Sequence, residues 1–244
     1  VHIYDIDSIG DVLSTALSNF TRLTDRFALE TSKTAYVLGL TESSGVDNFS
    51  KLWAQKGSPL GNIWRLRSAH DEETLIAEHP HGRLFLIAGR QVVCREKIEI
   101  LALGTREHIR DGAPIEETLP MVKSAKALTV LPWGFGKWLG ARGKVVQDLV
   151  KRQDRRESIF MGDICGRPKF PGRHKLFQKA VANGIRVLAG TDPLPIPAGY
   201  AKVGRYGTAI DTKVDVSISS ARLKALLTDS GTSLRTVGKR QPLL

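Results

Sequence analysis

The feature that most constrains this chain is a rhythm of short apolar runs, each ending at glycine or a polar loop and followed by an amphipathic stretch. In the second half, Ala127 to Leu131 predicts a strand, Pro132-Trp133-Gly134-Phe135-Gly136-Lys137-Trp138 a loop, and Val145 to Arg152 a helix. Ile159 to Met161 predicts the next strand, before the loop Gly162-Asp163-Ile164-Cys165-Gly166-Arg167-Pro168 and a helix from Lys175 to Ala182. Asn183-Gly184 stops that helix, Arg186 to Ala189 predicts a strand, and Gly190-Thr191-Asp192-Pro193-Leu194-Pro195 follows it. The first half is less regular. Strands are expected at Val1 to Tyr4, Thr34 to Leu40, Arg83 to Ala88 and Ile98 to Leu103, with helices from Ile9 to Leu23 and around Phe49 to Trp53. Gly89 to Lys97 reads as a hairpin or a short extension of the sheet, and Pro114 opens a helix with Glu116 and Glu117 in its first turn. Val214 to Ile218 is a candidate last strand, before a helix at Ala221 to Leu227.

Alternation of this kind is the signature of repeated βα units. Seven or eight strands with helices between most of them predict an α/β fold, a distorted (β/α)7-8 TIM-like barrel. An open doubly wound sheet is the alternative, because strand order is not written in one sequence. Residues 1–228 are expected to form one domain and 229–244 a frayed tail. At 244 residues the length suits a single barrel. No stretch approaches the roughly 18 apolar residues of a membrane span, and nothing resembles a signal peptide. Cys94 and Cys165 lack CxxC spacing, which points to a reducing, cytoplasmic setting.

The net charge of +11 is concentrated: Lys123 to Arg186 holds fifteen Lys or Arg against four acids, and so carries the whole excess. Such a concentration suits an anionic partner, a small phosphorylated molecule or nucleic acid. No RNP, helix-turn-helix or zinc-finger pattern is present, and much of the charge falls on expected outer helices, so nucleic acid ranks last.

In barrels and open α/β sheets, ligands sit at the carboxyl ends of the strands. The three glycine-rich loops and Val203-Gly204-Arg205-Tyr206-Gly207 are therefore expected to converge on one polar pocket. Asp163 and Asp192 directly follow apolar strands, where a carboxylate acts as base, binds metal, or caps the next turn. Lys137 and the glycines beside it suit an oxyanion. Arg167 suits a substrate phosphate or a structural pair with Asp163. Trp133, Tyr206 and Arg90 complete the substrate-binding candidates. His79-Pro80-His81 has metal-pair spacing but precedes a strand, on the face opposite the expected site. HExxH and GxSxG are absent.

The opening Val1-His2-Ile3-Tyr4-Asp5, the pair Gly89-Arg90-Gln91-Val92-Val93 and Ile98-Glu99-Ile100-Leu101-Ala102-Leu103, and the late Gly190-Thr191-Asp192 together resemble PHP (polymerase and histidinol phosphatase) domains. More distantly, they are similar to amidohydrolases. The resemblance implies a distorted barrel, metal-assisted hydrolysis at the carboxyl face, and a divalent metal (Zn, Mn or Mg) with His2 and Asp192 as ligands. Gln91, Glu99 and Leu194 depart from the family's pattern at positions where it places metal ligands. The expected activity is hydrolysis of a small anionic, phosphorylated substrate over a reduced or absent metal centre. The alternative is retention of such a ligand without turnover.

Overall fold

A computed structural model describes residues 6–61, 63–134, 136–152, 159–167, 175–193, 196–212 and 217–240. The expected first strand, Val1 to Tyr4, lies outside the described residues. The first half runs α1 (Ile9–Arg26), β1 (Tyr36–Glu42), α2 (Asn48–Ala54), β2 (Pro59–Leu60), β3 (Trp64–Ser68), β4 (Thr74–His79), β5 (Gly82–Val93) and β6 (Glu99–Leu103). The second half runs α3 (Ile115–Ser124), β7 (Leu128–Pro132), α4 (Gly140–Arg152), β8 (Ile159–Ile164), α5 (Lys175–Ala182), β9 (Val187–Gly190), α6 (Pro197–Tyr200), β10 (Tyr206–Asp211), α7 (Ser220–Thr228) and β11 (Ser233–Gly238).

Nine strands form one sheet in the order β2-β3-β4-β5-β6-β7-β8-β9, with β1 paired to β5 off that path. The sheet does not close, so the expected (β/α)7-8 TIM-like barrel is incorrect. Only β1 with β5, β7 with β8, and β8 with β9 run parallel. From β2 to β7 every neighbour is antiparallel. The cause is local. Pro80 and His81 alone join β4 to β5, with His79 opposite Gly82. The β5–β6 turn closes where the Cys94 N–H donates to the Ile98 carbonyl and Lys97 takes φ 59°. A parallel pair needs a crossover of about a dozen residues or more, and connections this short permit only hairpins.

Side-chain alternation then sorts the apolar residues onto two faces of the sheet. Leu38 and Leu40 of β1 and Leu84 and Leu86 of β5 pack with Val12, Leu13 and Ala16 of α1. Phe85, Ile87, Val130 and Phe160 join a separate cluster with Leu223 and Leu227 of α7. Beyond β9, Thr208 of β10 binds the Ala189 backbone in both directions, its Oγ1 accepting from the N–H and donating to the carbonyl. β11 pairs antiparallel with β10, so residues 233–238, expected to belong to a frayed tail, form a strand. Of the candidate strand Val214 to Ile218, residues 214–216 lie outside the described residues, and Ile218 is buried without strand pairing. Among the described residues no helix is long and apolar enough to cross a membrane.

Candidate functional site

Because β7, β8 and β9 are parallel neighbours, their carboxyl ends lie side by side: Pro132 faces Gly162, and Gly162 faces Leu188. The three glycine-rich loops accordingly leave the same edge of the sheet. Next to this edge lies a cavity of about 670 Å³, reaching from Phe27 after α1 to Asp192 after β9 and walled by β1, β6 to β11 and α7.

Asp163, Arg167 and Tyr206, three of the candidates, meet at the cavity edge. Asp163 Oδ1 accepts from Arg167 Nε at 2.6 Å, and its Oδ2 accepts from Arg167 Nη2 at 2.8 Å and from the Tyr206 hydroxyl at 2.8 Å. All three are buried. The Arg167 guanidinium also lies 4.8 Å from the Phe177 ring centroid on α5. Burial, reinforced by the Asp163 charge, raises the Tyr206 phenol well above its ordinary range, so it stays a proton donor. The constellation is a bidentate, charge-assisted cluster that satisfies itself. It fixes the loop after β8 against β10.

Asp192 is placed differently. It lines the cavity, is half-buried, and holds φ 43° without being glycine. That conformation costs about 1–3 kcal/mol and persists only where the surroundings impose it, which is common at functional sites. The neighbouring Thr191 helps impose it. Its hydroxyl donates to the Tyr206 carbonyl at 3.2 Å and accepts from the Gly204 N–H at 3.1 Å. Gly204 in turn has φ 81°, and a Cβ there would stand 2.9 Å from the Ala16 carbonyl oxygen.

The remaining candidates stand away from the cavity. Lys137 bonds Glu99 at 2.5 Å across the start of β6. The Trp133 side chain packs against the core that includes α4 and α5, while the Trp133 backbone N–H donates to the Gly162 carbonyl. Arg90 is buried under α2, donating to Glu42 at 3.3 Å, to Asp47 at 3.0 Å, and to the carbonyls of Val46 and Arg106. Sequence reasoning missed Glu42. Its Oε1 accepts from the N–H groups of Asn48 and Phe49 at the start of α2. Burial pushes its carboxyl up to about 7, against the opposing pull of those N–H groups and of Arg90. The signal was available, since Glu42 follows an apolar strand just as Asp163 does.

The expected metal finds little support in these donors. His2 lies outside the described residues, and among the described residues no group of three His, Cys, Asp or Glu could hold an ion. Asp163 is committed to Arg167 and Tyr206. His79 and His81 lie with ring centroids 5.3 Å apart, tilted at 48°, in the β4–β5 turn at the opposite edge of the sheet. A divalent ion does not fit the described carboxylates and imidazoles.

Comparison with known proteins places this geometry in a fold class. No protein-family model and no curated protein matches the chain. Among solved structures it is similar to PsfC from Pseudomonas syringae PB-5123, with a TM-score of 0.56 at 12% identity over 90% of this chain and 82% of that one. It also aligns with the lesion-specific endonuclease PfuEndoQ from Pyrococcus furiosus, at TM-score 0.49 and 15% identity. A third alignment is to an Endonuclease Q complex with a 27-mer duplex, at TM-score 0.46 and 14% identity. The chain spans about half the length of these endonucleases, 52% in each case. The likeness to PsfC, at 12% identity, is one of fold.

Proposed function

We propose that the chain is a PHP-like hydrolase in which a small substrate enters the cavity and meets Asp192. The observation that carries this reading is the Asp192 backbone, held at φ 43° where the carboxyl end of β9 opens onto the cavity. The PsfC-like fold and the PHP-like Gly190-Thr191-Asp192 support it. In the proposed step Asp192 accepts a proton from a water molecule as the water oxygen bonds the electrophilic atom of the substrate. The leaving group departs with the electrons of the broken bond. General-base assistance of this kind contributes about 10²–10⁴-fold. The substrate is a small anion, phosphorylated in the fullest form of the reading, with Lys33 and Arg235 as the basic residues that line the cavity. Asp163, Arg167 and Tyr206 act as the fixed wall beside it.

The test is hydrolysis of a phosphoester panel by the wild type, Asp192→Asn and Asp192→Ala, with elemental analysis of the wild type and His2→Ala. A loss of about 10²-fold or more in both Asp192 variants supports the reading. Equal rates in all three proteins reject it.

A second reading is retention of a phosphorylated ligand without turnover, since Asp163, the other candidate base, is already held by Arg167 and Tyr206. A phosphoester that raises the melting temperature and is recovered intact selects this reading over hydrolysis.

A further inference from the structure

The excess positive charge of this chain lies in residues 123–186, yet no described Lys or Arg of that segment lines the cavity. The pleat of the sheet is the cause. Val130 of β7 lines the cavity, while Leu131 turns to the other face and packs into the core beneath α4 and α5. Val146, Leu149 and Val150 of α4 and Leu176, Phe177 and Ala180 of α5 belong to that core. The two helices lie side by side, and Asn183 Nδ2 at the end of α5 donates to the Val150 carbonyl at 2.9 Å. Their outward faces form one surface, on the far side of the sheet from the cavity.

That surface is strongly basic. Lys144, Lys151 and Arg152 of α4 and Lys175 and Lys179 of α5 are exposed, against a single exposed acid on the two helices, Asp148. Asp148 meets Lys151 at 3.5 Å, and Arg152 reaches Glu116 of α3 at 3.2 Å. Among the described residues Lys144, Lys175 and Lys179 have no ion pair. Lys175 and Lys179 stand about 6 Å apart along α5, and Lys144 and Lys151 about 10 Å apart along α4. Cations clustered in this way on one face suit a repeating anion better than a single one.

The rest of the surface selects the polyanion. A helix that rests on a membrane offers an apolar face to the lipid. Here both apolar faces are buried in the core, and Val181 is the one exposed large hydrophobic residue on the two helices. Single-stranded nucleic acid is held by stacking on aromatic rings. Neither helix exposes such a ring, since Phe177 is buried. A duplex presents its phosphates outward and is held through them without stacking.

We infer that the outer face of α4 and α5 binds the phosphate backbone of a nucleic-acid duplex without reading its sequence. This goes beyond the hydrolase reading and is independent of it, because the face and the cavity lie on opposite sides of the sheet.

The experiment is fluorescence anisotropy of a labelled DNA duplex of about 20 base pairs, titrated with the full chain between about 50 and 200 mM salt. An RNA duplex of the same sequence, a DNA duplex of scrambled sequence, and phosphatidylcholine vesicles with about one-third phosphatidylserine are run in parallel. Duplex dissociation constants of about 10⁻⁴–10⁻⁶ M are expected near physiological salt, unchanged by scrambling. The log–log salt slope should be about −2.7 to −4.5, for about three to five phosphates contacted. The ratio of DNA to RNA affinity names the source of the duplex. Lys144→Glu, Lys175→Glu and Lys179→Glu combined, checked for native circular dichroism, should weaken binding at least about 100-fold. The same change of charge on α1 and β3, with Arg22→Glu, Arg26→Glu and Arg65→Glu combined, should weaken it by less than about tenfold. Lys175→Gln and Lys179→Gln, each made alone, should make the slope shallower by about 0.9, which keeps the test open if the triple variant fails to fold. Asp192→Ala should bind the duplex as the wild type does, whatever becomes of hydrolysis. No binding of either duplex, a slope shallower than about −2, or equal losses in the two triple variants overturns the inference. Binding to the vesicles without binding to a duplex overturns it as well.

Discussion

Arg167 and Arg90 are both buried arginines held by a carboxylate at a strand end, yet the two clusters stand in different relation to the cavity. Asp163, the partner of Arg167, lines it together with Tyr206. Glu42, the partner of Arg90, follows Thr41 in β1, and alternation turns the two side chains to opposite faces. Thr41 therefore looks into the cavity, and Glu42 lies beneath the first turn of α2. A carboxylate after an apolar run marks a strand end. The face of the sheet it takes decides whether it belongs to the site or to the scaffold.

The largest effect that sharpens this contrast is expected at Arg167. Arg167→Leu leaves the buried Asp163 with Tyr206 alone among its described partners, and removing one member of a buried pair costs about 3–5 kcal/mol. Urea denaturation measures it, and a loss below about 1 kcal/mol would contradict the rigid-wall role. The Glu42 cluster is expected to respond to pH. Its carboxyl is raised from 4.5 to about 7 in the folded protein, so its contribution is full below 4.5 and is lost as pH rises through 7. Between about pH 8 and about pH 5 the stability of the wild type relative to Glu42→Gln should rise by up to about 3 kcal/mol. A difference that stays flat, or runs the other way, breaks the assignment.

Smaller changes separate cavity from surface. Without ligand, Thr41→Val should leave stability unchanged or raise it by about 1 kcal/mol, because it removes an unsatisfied buried hydroxyl. Lys137→Met should cost about 0.5 kcal/mol or less, since Lys137 and Glu99 are 38% and 22% exposed. It should also leave binding in the cavity unaltered. Thermal melts of both variants beside the wild type check this end of the scale.

Much of the second half was legible from residue pattern. Lys175 to Ala182 is α5 as expected, the apolar runs at 127–131 and 186–189 fall within a residue of β7 and β9, and that at 159–161 starts with β8 but stops three residues short of its end. Glycine and proline punctuate these segments sharply, and the helices between them have clear apolar faces. The first half was less so. Trp64–Ser68 and Thr74–His79 were missed as strands: the first is five residues with only Trp64 and Leu66 buried, and the second lacks apolar alternation, with buried Thr74, Leu75 and Ala77. Tyr206–Asp211 and Ser233–Gly238 are short and half-exposed, and they stand as strands through pairing with each other.

The same division holds for the site. The sequence by itself determined that Asp163 and Asp192 stand near the carboxyl ends of strands and that Arg167 follows Asp163 by four residues, since local composition sets where a strand stops. Only the tertiary structure decided that Asp163 is bound by Tyr206, 43 residues away, that Lys137 belongs to Glu99, and that Arg90 serves Glu42. It also decided that the sheet of described strands stays open and borders a cavity of mixed polarity beside Thr41. The physical reason is that strand order and sheet face bring distant residues together through pairing and burial. Neither is encoded in the spacing of residues along the chain.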